Sequence, residues 1–547
     1  MSERILQRKA ENQLHDDALL ASLGYKSEFK RDFSTLQTVA YAFSIMGVCG
    51  AVSTTYFFPL IAAGHLGLTI GWIIPSLFVL CVALSLAELT SAMPTSAGLY
   101  FFSAKLAPPK YAPLISWITG WSNLTGQVLL FCSVDFVAAD MIVTGIAVGS
   151  DGRVILGPAP TFGIILALLF SHAIVCPSNS RTLARLSLFT GVINVATTIS
   201  IAIALIVVPG SERTSASDAF SLLTNNSGWD NNSWAFILSF TSAMWALTGY
   251  DAAAHISEET SSAARTAPLA ILSGVIGVEV LGLLLLIGAS FATIDIPHLV
   301  DTNLGMPMGQ VYLDTFGKKG MLAVWSLCIF VLWVNGVSQG VDASRVTFAL
   351  ARDNALPGSR LWKQVHPSTK TPVYAVWLVI SLSAIIAVLV WSDTALSSLA
   401  GATVVGLYVS YAIPIFFRIT SGHRTFKPGP FNLGRYSRPI GAIAVLWSLF
   451  ASVVLLFPLD PRIHSSKDMS NYDSLFSSTS EKLIKVPYRL RRCYHMRCAH
   501  AFGSIVVLSA RKWFKGPVPN ITPDEVVKSD SASTEGDDES PVEKSRI

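Results

Sequence analysis

Residues 33 to 87 contain no aspartate, glutamate, lysine or arginine. This run of 55 uncharged residues is more than twice the ~20 that one helix needs to cross a bilayer, so at least two spans fit inside it. Hydrocarbon offers backbone N–H and C=O groups no partners, so a chain committed to it folds as helices or as a closed barrel. Continuous apolar runs, rather than alternating ones, select helices.

The same reading predicts eleven spans, near residues 36–64, 70–92, 114–148, 160–178, 186–208, 234–256, 268–294, 320–342, 372–391, 396–417 and 439–457. The composition agrees: 51% of residues are hydrophobic and 14% charged, against about 25% charged in soluble domains. A net charge of +4, with the basic residues in short loops between apolar runs, excludes a nucleic-acid-binding face. Several of the seven cysteines lie inside apolar runs, so no disulfide framework is expected. The first 32 residues are polar and hold no apolar core, so no cleavable signal peptide is expected.

Lysine and arginine set the orientation. Loops after spans 2, 4, 6, 8 and 10 carry fifteen and those after spans 1, 3, 5, 7 and 9 carry four, which predicts a cytoplasmic N-terminus. Two N-x-S/T sequons, at Asn225 and Asn231, fall in the outer loop between spans 5 and 6.

The midplane of span 1 falls at SIMGVCG, Ser44 to Gly50, where glycines three apart permit an extended break. A half-helix starting at Val48 then points free N–H groups and a positive dipole end inward. Span 6 runs the other way and reads MWALTGYD, Met244 to Asp251, with Thr248 and Gly249 at the corresponding depth. Matched breaks fit two inverted five-helix repeats with a site between them; glycines that serve only helix packing are the alternative.

Three stretches carry a resemblance: AELTSAMPTSAGLYFFSAKLAPPKYAPLISWITGW (Ala87 to Trp121), GYDAAAHISEETSSAARTAPLAIL (Gly249 to Leu272) and SRVTFALARDNALPGSRLWKQVHPSTKTPVYAV (Ser344 to Val376). They resemble, in order, loop signatures of the amino acid–polyamine–organocation superfamily, and most of all its fungal amino acid/choline permeases of the GABA-permease-like branch. The resemblance covers about residues 30 to 460. It implies an all-α polytopic membrane protein of the leucine-transporter type, with repeats at 36–208 and 209–417 after a cytoplasmic tail at 1–35. It also implies unwound spans 1 and 6 at the substrate, and alternating access, usually proton-driven. On that implication, N–H groups around Gly47, Val48, Cys49 and Gly50 receive a substrate carboxylate. Carbonyls near Ser44, Ile45, Trp245 and Ala246 receive an ammonium, with Thr248 and Gly249 at the second break. Trp245 and Tyr250 are candidates for cation–π walls or for packing.

Four acids in or near spans stand out: Asp135, Asp140, Asp251 and Glu279, with no lysine or arginine expected inside any span. An intramembrane carboxylate marks a cation partner or a proton carrier by default. Asp135 and Asp140 are expected near the outer surface, Glu279 deeper, and Asp251 just cytoplasmic of the span 6 break. Glu258 and Glu259 read as gate or loop partners of cytoplasmic arginines. Asn123 and Gln127 share one face of span 3, as Asn335 and Gln339 share one of span 8, either as ligands or as interhelical bonds. Span 5 has no basic residue, and Asn194 is the strongly polar group near its middle. The cluster Cys493, His495, Cys498 and His500 has irregular spacing and no second half, so no metal site is expected.

No H-E-x-x-H motif occurs, and the one G-x-S-x-G match, Gly336 to Gly340, lies inside the apolar run of span 8 and not at a strand-to-helix turn, so the chain is expected to be a transporter and not an enzyme. The expected substrate is a small amino acid or amine, a GABA-like zwitterion first, with the proton as coupling ion and no cofactor. Choline or polyamine transport, or a non-transporting nutrient receptor, are the alternatives. The expected setting is the plasma membrane or an internal one such as the vacuole, with the lipid bilayer and a small molecule as partners. After the span 11 region (418–460), the resemblance leads one to expect a twelfth helix within 461–515. Glu481 to His500 is too charged for a bilayer core, and Ala501 to Ala510 alone is apolar. A missing or degenerate twelfth span is therefore expected, with a disordered tail at 516–547 left without its usual route back to the cytoplasm.

Overall fold

The computed structural model describes residues 2–392, 395–457, 459 and 514–520. Residues 461–513, which hold most of the atypical twelfth-helix region and the Cys–His cluster, and residues 521–547 of the tail lie outside the described residues.

The described residues fold as helices with no strand, apart from one bridge between Phe33 and Thr260. After α1 (Ser2–Ser22), the first span is α2 (Thr35–Ser44) and α3 (Val48–Thr55), continued by the start of α4 (Phe57–Ala92). Gly64, at φ +59°, breaks α4 into the end of span 1 and the whole of span 2. Next come α5 (Gly98–Leu106), α6 (Ala112–Gly149), α7 (Pro158–Val175), α8 (Ser180–Val207) and the short α9 (Ala216–Ser221). Span 6 is divided among α10 (Asn232–Leu238), α11 (Thr241–Ala246) and α12 (Ala252–His255). The remainder is α13 (Ala263–Ala292), α14 (Ile296–Val300), α15 (Pro307–Arg352), α16 (Ser359–Trp362), α17 (Val373–Ile386), α18 (Ala395–Ile419) and α19 (Ser437–Val454). Ten helices among the described residues are long and apolar enough to cross a bilayer, and the divided span is the eleventh.

The packing carries the expected inverted repeat. Shifting each span by five turns one observed contact into another. The α4–α13 and α6–α15 pairs map onto themselves, α6–α18 maps onto α15–α8, and α2–α13 maps onto the α10 and α11 contacts with α4. The last approach is close because Gly67 and Gly71 of α4 face Ser239, where any Cβ would collide.

Two expectations about depth need correction. Span 8 does not end at residue 342: past the break at Gly317 (φ +66°), α15 continues unbroken to Arg352. The charged residues Asp342, Arg345 and Arg352 are thus helical and buried among other helices, on the extension of the span 8 helix past its expected end. Asp135 is likewise not at an outer surface. α6 has 38 residues and is about 57 Å long at 1.5 Å per residue, so it overruns the ~30 Å core and its middle lies near residue 130. Asp135 pairs with His172 of α7 at 3.3 Å, and both are buried.

The terminal segments share a face. Asn520 N–H donates to the Gly24 carbonyl at 2.9 Å, and the Lys26 N–H donates to Asn520 Oδ1 at 2.7 Å. Residues 516–520 are therefore docked against the N-terminal segment, held by these bonds and by one from Val518 N–H to Asp353 Oδ1; the rest of the expected disordered tail lies outside the described residues.

Candidate functional site

α2 ends at Ser44, and the chain turns at Gly47, which caps α3 at φ +46° and ψ +56°. A left-handed residue suits glycine, and here space also demands it: a Cβ would lie 2.6 Å from Asn335 Nδ2. The first intrahelical bond of α3 is Ala51 N–H to the Gly47 carbonyl at 2.8 Å. The N–H groups of Val48, Cys49 and Gly50 therefore lie beyond the helix's own bonding. That of Cys49 donates to Asn194 Oδ1 of α8 at 3.3 Å. Gly50 packs on Leu332, and Ser44 Oγ donates to the Ser187 carbonyl at 3.1 Å. Ile45, Val48 and Cys49 are buried.

The second break lies opposite. α11 ends with Trp245 and Ala246, Thr248 Oγ1 donates back to the Met244 carbonyl, and Gly249 takes φ +94°. A Cβ on Gly249 would touch Ile45, Leu130 and Gln339, so the two breaks face each other directly. Tyr250 packs at a tilt against Tyr411, with ring centroids 5.2 Å apart and an interplanar angle of 41°. Around this junction several buried polar atoms have no hydrogen-bond partner: Asn194 Nδ2, Asn335 Oδ1, Trp245 Nε1 and the Tyr250 hydroxyl.

Below the second break, Asp251 gathers donors from three other elements. Asn123 Nδ2 and Gln127 Nε2 of α6 donate to its Oδ2 at 3.0 and 3.1 Å, and Tyr411 of α18 donates to Oδ1 at 2.6 Å. His255 Nε2 lies 3.3 Å from Oδ2. Asn123 and Gln127 are thus bound to a carboxylate. Gln339 donates to Gln127 Oε1, and one turn on, Asp342 lies fully buried with neither oxygen at hydrogen-bond geometry to any donor.

Glu258 and Glu259 follow α12 and do meet arginines. Arg352 binds Glu258, which also accepts from Ser96 N–H, Ser96 Oγ and Thr95 Oγ1 at 2.9, 2.7 and 3.0 Å. Arg345 Nε donates to Glu259 at 2.8 Å, and Ser180 donates to the other oxygen of Glu259. Glu279 is half-buried on α13, where its carbonyl accepts from Trp72 at 3.0 Å and its Oε1 has no hydrogen-bond partner.

The N-terminal segment covers this face. Tyr25 and Tyr100 both donate to Asp353 Oδ2, at 2.9 and 2.8 Å, and Val518 N–H donates to its Oδ1 at 3.2 Å. The Arg352 guanidinium stacks on the Tyr25 ring at 4.1 Å. Asp16 accepts the N–H groups of Ser262 and Ala263 at the start of α13. Burial raises the Asp16 and Asp353 carboxyls above the usual range, against the pull of Arg31 and Arg352 respectively.

Sequence reasoning missed Asp342, Tyr411 and the Asp135–His172 pair. A signal for Asp342 was present: Asn335, Gln339, Asp342 and Arg345 recur at intervals of four, three and three, a polar stripe on one helix face. An apolar limit of span 8 at residue 342 leaves Asp342 at the very end of the run, where the stripe is easily missed.

Residues 33–475 match the family described as Amino acid permease. The amino-acid permease BAT1 of Arabidopsis thaliana is 34% identical over 92% of this chain and 96% of its own length. An amino-acid permease of Schizosaccharomyces pombe is 35% identical over 81% of this chain and 82% of its own, and the GABA-specific permease of Saccharomyces cerevisiae 30% identical over 95% and 89%. Matches of this extent run through both broken spans and the bundle around them, and the chain belongs to the amino acid permease family.

Proposed function

We propose that this integral membrane protein carries a small amino acid or related amine by alternating access, with a GABA-like zwitterion as first substrate and protons as coupling ion. The opposition of the α2–α3 and α11–α12 breaks carries this reading. A substrate carboxylate is matched to the N–H end of α3, with Asn194 and Asn335 beside it. An ammonium is matched to the carbonyl ends of α2 and α11, walled by Trp245 and Tyr250. The Asn123–Gln127–Asp251 group and the Glu258 and Glu259 ion pairs then close the face that bears the N-terminus, which we take as cytoplasmic. The plasma membrane is the proposed location. The relative named a GABA-specific permease supports the choice of substrate.

The unpartnered carboxylate of Asp342 favours a second reading, a cationic amine such as choline or a polyamine. Uptake of labelled GABA, glutamate, alanine, choline and putrescine into proteoliposomes of the purified chain separates them. GABA or another amino acid accumulating is the expected result. Choline or putrescine alone supports the second reading, and binding without accumulation identifies a receptor.

A further inference from the structure

We infer that Asp342 of α15 is the group that carries the coupled proton, read by the Asp251–His255 pair. This rests on the transport reading. Asp342 is fully buried, and neither carboxylate oxygen meets a donor at hydrogen-bond geometry. The charged and titratable groups around it are His255 and Asp251 from span 6, Arg345 on its own helix, Tyr41 from α2 and Tyr411 from α18, with the Gln127 amide of α6 beside them.

Charge counting isolates one residue. Arg345 is matched by Glu259, its direct partner. A protonated His255 is matched by Asp251 at 3.3 Å, and three neutral donors complete the shell of Asp251. Tyr41 and Tyr411 are neutral phenols that donate to the Ser338 carbonyl and to Asp251. Each of these charged groups has a direct partner, and an ionised Asp342 would have none in a buried site. Such a group takes a proton instead. The arrangement described here is therefore the proton-loaded one, with Asp342 as a neutral acid.

The release step follows from what holds the cluster shut. Its members sit on α6, α12, α15 and α18, and α12 is a four-residue helix next to the glycine break. Outward movement of α12 takes His255, Asp251 and Glu259 away from α15. Arg345 then loses Glu259 and lies one turn from Asp342, and water enters. Both changes favour the carboxylate, so the acid gives its proton to water on the N-terminal face. One proton enters on the other side, protonating the carboxylate, and one leaves per cycle.

The test uses the full chain in proteoliposomes and whichever labelled amino acid of the panel above the wild type takes up fastest. Two rates are read: accumulation driven by an acid-outside gradient, and counterflow at equal pH. Asp342→Asn is expected to keep counterflow within about threefold while uphill accumulation falls to the equilibrium level, and Glu279→Gln is expected to keep both. Uphill accumulation by Asp342→Asn at the wild-type level overturns the assignment. So does coupling lost in Glu279→Gln but kept in Asp342→Asn. Loss of counterflow together with accumulation in a folded Asp342→Asn protein also overturns it, making Asp342 a substrate ligand. Should Asp342→Asn not fold, Asp342→Glu decides: a displaced pH profile of uptake is expected, and a profile identical to wild type overturns the proposal. A wild type that accumulates no member of the panel sinks the transport reading itself, whereas accumulation indifferent to the pH gradient removes only the proton assignment.

Discussion

Arg352 and Glu258 meet as a bidentate ion pair, Nη1 donating to Oε2 and Nη2 to Oε1, each at 3.2 Å. The arginine is the last residue of α15, and the glutamate lies in the turn after α12. The pair therefore ties the turn after the divided span 6 to the end of the continuous span 8 helix. Removing one member of a buried pair leaves the other uncompensated, at about 3–5 kcal/mol. Glu258→Gln is expected to lower the unfolding midpoint in detergent by several degrees and to raise maleimide labelling of the buried Cys49. An unchanged midpoint with unchanged labelling would show that this contact is not a closing element.

Gly47 sets the geometry of the first break. A leucine there must adopt a left-handed backbone, at about 1–2 kcal/mol, and drive its Cβ into Asn335 Nδ2, 2.6 Å away. Gly47→Leu is expected to abolish uptake while protein still reaches the membrane. Normal uptake by this variant would remove the break from the substrate site.

Gly336 leaves room for the Asp135–His172 pair, since a Cβ there would lie 2.5 Å from His172 Cε1. The ring is already fixed by the Trp333 carbonyl at 3.0 Å. Gly336→Ala is expected to displace the imidazole from Asp135 and cost about 1–3 kcal/mol of stability by overpacking. Thermal unfolding measures it, and a neutral result would mean the two helices part without loss.

The N-terminal segment is expected to dock more tightly in acid. Asp16 and Asp353 have carboxyls raised by burial. Groups raised in the docked state add stability that is complete below their ordinary value near 3.8 and is lost as pH rises through the raised one. A spin label on Ser22→Cys is expected to become more mobile as pH rises from 4 to 8, less steeply in Asp16→Asn. Mobility independent of pH contradicts this. Tyr25→Phe removes a bond to Asp353, about 0.5–1.5 kcal/mol with a neutral acceptor and more with a charged one, and is expected to raise mobility throughout this pH range.

Local chemistry along the chain determined the helical membrane fold, the number and approximate limits of the described spans, and both breaks. These follow from properties that need no partner: apolar length against bilayer thickness, and glycine at Gly47 and Gly249, where the backbone turns left-handed. Tertiary structure alone decided what the polar residues bind. Asn123 and Gln127 could serve a ligand or another helix, and the approach of α12 gives them Asp251. Arg345 and Arg352 looked like loop residues because a charge is costly in lipid. The cost is offset in part where neighbouring helices supply Glu259 and Glu258 in place of water. Asp342 stands out because the charges around it have partners, and pairing between residues 86 and 94 apart along the chain, as for Glu259–Arg345 and Glu258–Arg352, is a property of the packed bundle and not of any one segment.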